Sequence, residues 1–258
     1  MDHSNPAVEL DDVHFRFGRH DPALSGVSVR CLPGVTCVVG DNGSGKSTLL
    51  GLLATLYRPT SGALLVDGRE VRSSRDLLAV RELTGYVPQE NSVPPGLTVE
   101  EALGFACWLK RVGRASATRT TELLDQFDLG DRRRDKAARL SGGTQRRLSI
   151  AMGLVHRPAL LLLDEPTAGL DPSHRQQLRR TIIGLRDDVD VVLTTHLDQD
   201  VRECADRVVM LRQGRKAFDG PSNEFLPIAD NGQVTTLEDA LSRSAENFHA
   251  VDMERGRP

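Results

Sequence analysis

The chain has 258 residues, 27% of them charged, with a net charge of -3 and a mean hydropathy of -0.31. That suffices for a sizeable core in one large domain or in a domain with an inserted lobe. No apolar stretch approaches the ~18 residues that a membrane helix requires, and the charge balance lacks the basic footprint of a nucleic-acid binder. The N-terminal MDHSNPAVELDD carries neither the basic nor the apolar region of a signal peptide, so a cytoplasmic protein is expected. The four cysteines show no C-x-x-C spacing, which argues against a zinc site or a disulfide frame.

In chain order, Val8 to Phe17 alternates apolar and polar residues and Gly26 to Leu32 does so again, predicting two antiparallel strands in a small lateral sheet. Val35 to Val39 is an apolar, β-branched run, and Ser47 to Leu56 reads as a helix. Between them, Gly40, Asp41, Asn42, Gly43, Ser44, Gly45, Lys46 and Ser47 satisfy G-x-x-x-x-G-K-[ST] in the strand-to-helix setting that gives the pattern meaning. A phosphate chain is densely anionic, so its site needs many donors and little bulk. A glycine-rich turn of backbone N–H groups at a helix N-terminus supplies both. Lys46 reaches the terminal phosphates as a point charge, and the Ser47 hydroxyl is placed to join the shell of a Mg²⁺.

Beyond this helix, Arg58 to Gly62 is a turn, Ala63 to Val66 a strand, Asp67-Gly68 a turn, Arg75 to Leu83 a short helix and Gly85 to Val87 a brief strand. From Glu90 to about His156 the pattern is helical, which predicts an all-helical lobe inserted into an α/β core. Thr98 and Glu101 form a capping box there, a second helix runs from Ser116 to Phe127, and a third follows Ser141-Gly142-Gly143. On that third helix Arg146 and Arg147 read as a solvated face. Strands then return at Leu160 to Leu163, Val189 to Thr195 and Val208 to Leu211, the continuous apolar runs of a parallel sheet covered on both faces. Asp171-Pro172 caps a helix to about Leu185, and the tail from Pro221 holds one expected helix, Thr236 to Ser242.

Leu160 to Leu163 ends in Asp164 and Glu165, the second element that a P-loop nucleotidase needs. Asp164 at the strand tip suits the Mg²⁺ shell from the side opposite Ser47, and Glu165 suits a water facing the γ-phosphate. Ser141-Gly142-Gly143 is a second helix N-terminus without bulk, fit for another phosphate. One ATP cannot use both turns of the same chain.

From about Val8 to Gly220 the chain strongly resembles the ATP-binding cassette (ABC) ATPases, with every motif in the family's order. The resemblance implies a P-loop NTPase core with a mostly parallel sheet, an N-terminal antiparallel β subdomain and an inserted α-helical subdomain. Residues 1–220 would form the ATPase domain, with the helical part at about 90–156, and 221–258 a short extension. Gly40 to Thr48 corresponds to Walker A, Asp164 and Glu165 to Walker B with its catalytic glutamate, and Ala168 to Asp171 to the D-loop. Gln89 resembles the Q-loop glutamine that senses Mg²⁺ and couples to a membrane partner, and His196 the switch histidine at the γ-phosphate. Phe17 resembles the aromatic that stacks on adenine, with Phe15 as the alternative. Thr144 stands where the family usually has Gln, and Gln145 is turned about 100° away on the helix.

The implied function is ATP hydrolysis in a head-to-tail dimer. The signature turn of one subunit closes over ATP held by the other, driving a separately encoded membrane permease from the inner face of the membrane. The segment Leu97 to Leu109 is similar to bacterial drug, lipid or polysaccharide exporters, of the multidrug or ABC-2 type. The alternative is a soluble ABC ATPase acting on the ribosome or nucleic acid, although the second cassette, coiled coils and zinc insertions of those proteins are missing from this sequence. A P-loop kinase has no need of Glu165 or the Ser-Gly-Gly turn.

Overall fold

The computed structural model describes residues 8–18, 21–90, 93–225, 236, 237 and 239. The elements begin with β1 (Val8–Arg16), β2 (Pro22–Arg30), β3 (Val35–Val39), α1 (Lys46–Leu53), β4 (Ser61–Val66) and β5 (Arg69–Glu70). There follow α2 (Ser74–Leu83), β6 (Thr84–Val87), α3 (Val99–Leu109), α4 (Ser116–Gln126) and α5 (Gly142–Gly153). The last are β7 (Leu160–Leu163), α6 (Pro172–Leu185), β8 (Asp190–Thr194), α7 (Asp198–Cys204), β9 (Arg207–Arg212), β10 (Arg215–Pro221) and α8 (Ser222–Phe225). The expected Thr236–Ser242 helix falls mostly outside the described residues, although Thr236 and Asp239 exchange the reciprocal hydrogen bonds of a helix cap.

The small sheet is antiparallel, in the order β2-β1-β4-β5. β2 starts earlier than its alternation suggests because β1 extends it, pairing Phe15 with Leu24 and Arg16 with Pro22. Proline is tolerated at that first position of a strand. The large sheet runs β10-β9-β3-β8-β7-β6, parallel throughout except for β10 at one edge. Its strands are apolar at successive positions because both faces are covered. Val35, Cys37, Val39, Leu161, Leu163, Val191 and Leu193 join the core made with the helices α3 to α6. Val38, Leu160, Leu162 and Val192 point the other way, into the core shared with α1, β1 and β2.

This topology assembles the site. In a parallel sheet the carboxyl ends of neighbouring strands share one edge, and loops leaving that edge meet. β3 runs into Gly40, β8 into Thr195 and His196, β7 into Asp164 and Glu165, and β6 into Pro88 and Gln89.

Between Gln89 and His156 the described residues contain α3, α4, α5 and three short 3₁₀ turns, and their only β contact is an isolated Thr98–Lys136 bridge. α3 opens with the expected capping box, Glu101 N–H to Thr98 Oγ1 at 3.2 Å and Thr98 N–H to Glu101 Oε2 at 2.7 Å. The arginines of α5 depart from expectation. Arg146 is buried, at 3% exposure, and the Arg147 guanidinium donates to Phe127 O at 3.0 Å with its side chain largely covered. Neither lies on a solvated face, because both find carbonyl acceptors on segments packed against the helix.

Candidate active site

The turn after β3 is built so that only glycine fits at key positions. Gly40 has φ 146°, and a Cβ there would lie 2.1 Å from Leu211 O. Gly45 has φ 104°, and a Cβ would lie 2.6 Å from Leu24. Gly45 precedes α1 with no side chain capping the helix, so its first N–H groups remain available to an anion. Lys46 is buried, and its Nζ donates to Gly40 O at 2.8 Å and Asp41 O at 3.0 Å. Burial lowers its pKa, opposed by the charges of Glu165, Asp164 and Asp41. Ser44 Oγ is buried without a partner among the described residues.

Two carboxylates face this turn. The Ser47 hydroxyl donates to Asp164 Oδ1 at 3.1 Å, and Thr194 Oγ1 donates to the same oxygen at 2.7 Å. Expected on opposite sides of a metal shell, Ser47 and Asp164 are in direct contact, a set of hard oxygen donors that suits Mg²⁺. Glu165 has φ 41°, in the left-handed region that costs a side-chain-bearing residue about 1–2 kcal/mol. Its N–H donates to Thr194 Oγ1 at 2.7 Å, so one hydroxyl orients both acids. Gln89 Nε2 and His196 Nδ1 each approach Glu165 Oε2 at 3.4 Å. Gln89, Glu165 and His196, far apart in sequence, converge on one oxygen.

A family model described as "ABC transporter" matches residues 24–168, more than half of the chain. The chain belongs to the ABC transporter family. It is 39% identical over 220 residues to the daunorubicin/doxorubicin resistance ATP-binding protein DrrA of Streptomyces peucetius, covering 84% of this chain and 66% of that protein. It is 38% identical over 232 residues to the methionine import ATP-binding protein MetN of Mesorhizobium japonicum, covering 85% of this chain and 62% of MetN. It thus spans just under two thirds of either relative. Among solved structures, the dimeric structure of MJ0796, a bacterial ABC transporter cassette, aligns with a TM-score of 0.74 at 27% identity, covering 83% of this chain and 98% of that one.

The Ser141-Gly142-Gly143 turn lies at the start of α5. Ser141 caps the helix, its Oγ accepting from Thr144 N–H at 3.3 Å and lying 2.9 Å from Thr144 Oγ1. Thr144 therefore braces the serine, while Gln145 Nε2 turns back to Ala137 O at 3.0 Å and Leu140 O at 3.3 Å. At Gly143 a Cβ would fall 2.2 Å from the His174 ring, so this glycine allows α5 to meet α6; Gly142 is open. Asp171 caps α6: its Oδ1 accepts from Ser173 and His174 N–H, and its Oδ2 meets His174 Nδ1 at 2.5 Å. The Ser173 hydroxyl above all, then His174, hold its pKa well below the usual carboxylate range. Phe17 presents 45% of its surface, edge-on to Phe15 and Tyr57, whereas Phe15 is buried and stacked on Tyr57 with centroids 5.2 Å apart.

Three supports of the site were not expected from the sequence. Thr194 is one. A second is buried Asp200, whose Oδ2 accepts from Thr167 Oγ1 at 2.5 Å and Thr195 Oγ1 at 2.6 Å while Oδ1 accepts from Arg179 Nη1 at 3.2 Å. Asp200 thus ties the turn after Glu165 to the turn before His196. The third is Arg146. Its Nε donates to Pro166 O at 3.0 Å and its Nη2 to Asp164 O at 2.6 Å, while Nη1 reaches Pro88 O at 2.6 Å and Gln89 O at 3.2 Å.

Proposed function

We propose that this ATP-binding cassette hydrolyses ATP as one half of a head-to-tail dimer and drives a separately encoded membrane permease, in the export direction. The observation that carries the hydrolytic reading is the meeting of Gln89 and His196 on Glu165 Oε2, beside the Ser47–Asp164 contact. The phosphates lie along the turn from Gly40 to Thr48, with Asp41, Asn42, Gly43, Ser44 and Gly45 offering backbone N–H groups. Lys46 exchanges its carbonyl partners for phosphate oxygens. Exposed Phe17 stacks on adenine. Ser47, Asp164 and Gln89 would hold a Mg²⁺ ion, which when bound would supply charge neutralisation to the phosphates. Glu165 accepts a proton from water as the water oxygen bonds to the γ-phosphorus and the bond to the β-phosphate oxygen breaks, releasing ADP and phosphate. His196 donates to the γ-phosphate. Ser141, Gly142 and Gly143 of the second subunit, beside its Asp171 loop, close the other side.

The export direction rests on the similarity to DrrA and on the Leu97–Leu109 segment. Among the described residues no helix is long and apolar enough to cross a membrane. The outer face of α3 suits a cytoplasmic loop of that permease. Trp108 and Leu109 are 72% and 57% exposed, and Phe105 stacks on Trp108 with centroids 6.0 Å apart. We assign residues 1–220 to the ATPase domain, with about 90–156 as its helical part, and place the cassette peripherally on the inner membrane face.

Glu165→Gln tests the core of this reading, because it keeps size and reach but removes the base. Hydrolysis should fall by about 100-fold or more with ATP affinity nearly unchanged, and ATP with Mg²⁺ should shift the variant to a dimer on size-exclusion chromatography. Undiminished turnover would remove Glu165 from the base role. Reconstitution of the cassette with the membrane protein that co-purifies with it, followed by vesicle transport assays, tests the export direction.

A further inference from the structure

Arg146 carries a full charge into the interior and, among the described residues, has no carboxylate as a hydrogen-bond partner. Its four acceptors are all backbone carbonyls. A buried guanidinium is costly unless its donors are satisfied, and here they are spent in an orderly way. Two bonds go to Asp164 O and Pro166 O, the residues flanking Glu165, and two to Pro88 O and Gln89 O. Glu165 has the positive φ of 41°, a conformation that persists only where its surroundings hold it. The two segments clamped by Arg146 are those whose side chains meet at Glu165 Oε2.

Arg146 also belongs to the first turns of α5, five residues beyond Ser141, which is about 7.5 Å along the helix. We propose that Arg146 is a positioning residue that holds Glu165 and Gln89 in register, so that movement of the Ser141 turn is transmitted to the carboxylate of its own subunit. The fork geometry is essential. Guanidinium presents five donors in one plane, whereas a lysine ammonium has three donors on a single atom and cannot span two segments in the same way. The inference rests on the hydrolytic reading above. It adds that occupation of one subunit's signature turn by the other's ATP adjusts the base that acts on its own ATP.

The test compares wild type, Arg146→Lys and Arg146→Gln. With Glu165 mispositioned but the phosphate turn intact, kcat should fall about tenfold in Arg146→Lys and about 100-fold in Arg146→Gln. KM for ATP should stay within about twofold of wild type in both, since Arg146 makes none of its hydrogen bonds to the turn from Gly40 to Thr48 that takes the phosphates. A folded Arg146→Lys with wild-type kcat, or a loss carried by KM, overturns the proposal. Wild type without ATPase activity would instead overturn the functional reading. Hydrogen exchange on the wild type needs no variant to fold. With a non-hydrolysable ATP analogue and Mg²⁺, residues 87–90 and the first turn of α5 should change protection together, and a change in one without the other also overturns the coupling.

Discussion

His156 shows how a residue outside the nucleotide site shapes the solution behaviour of the protein. Burial above all, with the Lys110 charge adding to it, pushes its pKa from 6.5 down to about 4, against the opposing Thr84 carbonyl. The folded protein therefore keeps this ring neutral where the unfolded chain would protonate it. Between pH 6.5 and about 4 the unfolded state binds more protons, so unfolding free energy falls as pH falls through that window. Urea midpoints measured at pH 7 and pH 5 should drop less in His156→Gln than in wild type; equal drops would remove His156 from the effect. The Gly40–Ser47 turn, Asp164 and Glu165 were legible because each follows an apolar strand, whereas Gln89 and His196 were picked out by the family resemblance; the sheet brings the ends of all these strands to one edge. Arg146 was not legible. A helical arginine is solvated by default, and its partners here are backbone carbonyls, which no side-chain pattern announces.

At the scale of elements, the pairing of α6 with α7 is an ionic one. Arg179 and Asp200, both nearly fully buried, bond across the two helices, with half-exposed Glu203 as a second partner for the arginine. Removing the Asp200 charge leaves the buried guanidinium balanced only by half-exposed Glu203. Asp200→Asn should cost about 3 kcal/mol, and adding Arg179→Met should recover part of it in a double-mutant cycle followed by thermal melts. Single substitutions that cost little and add independently would show that the pair contributes nothing. Short elements were the ones missed. α7 is seven residues long without a side-chain cap, too brief for periodicity to register. β10 carries charge, glycine and proline, yet a signal for it exists: Gln213 and Gly214 both have positive φ, at 47° and 73°, the two-residue turn that joins hairpin strands.

At the scale of the whole molecule, the Gly40–Ser47 and Ser141–Gly143 turns belong to opposite faces of the large sheet. α1 contributes to one core and α5 to the other. On the reading proposed above, the nucleotide site would be completed by the Ser141 turn of a second copy or of a homologous subunit. On a Glu165→Gln background, Ser141→Arg places a long side chain where the γ-phosphate must approach backbone. The ATP-dependent dimer should disappear on size-exclusion chromatography while ATP binding to the monomer persists. A dimer that survives the arginine would show that ATP is not shared across the interface.

The order of strands also sets a timetable for the growing chain. β3, which leads into the phosphate turn, is flanked by β8 and β9, and the side chains that receive its first N–H groups, Asp190 and Asp206, lie 156 and 171 residues downstream of Gly34 and Val35. At ribosomal rates of about 5–20 residues per second, the apolar strand waits roughly ten to thirty seconds for either neighbour to be made. Through that interval β3 is an apolar strand without its sheet neighbours, open to pairing with other chains.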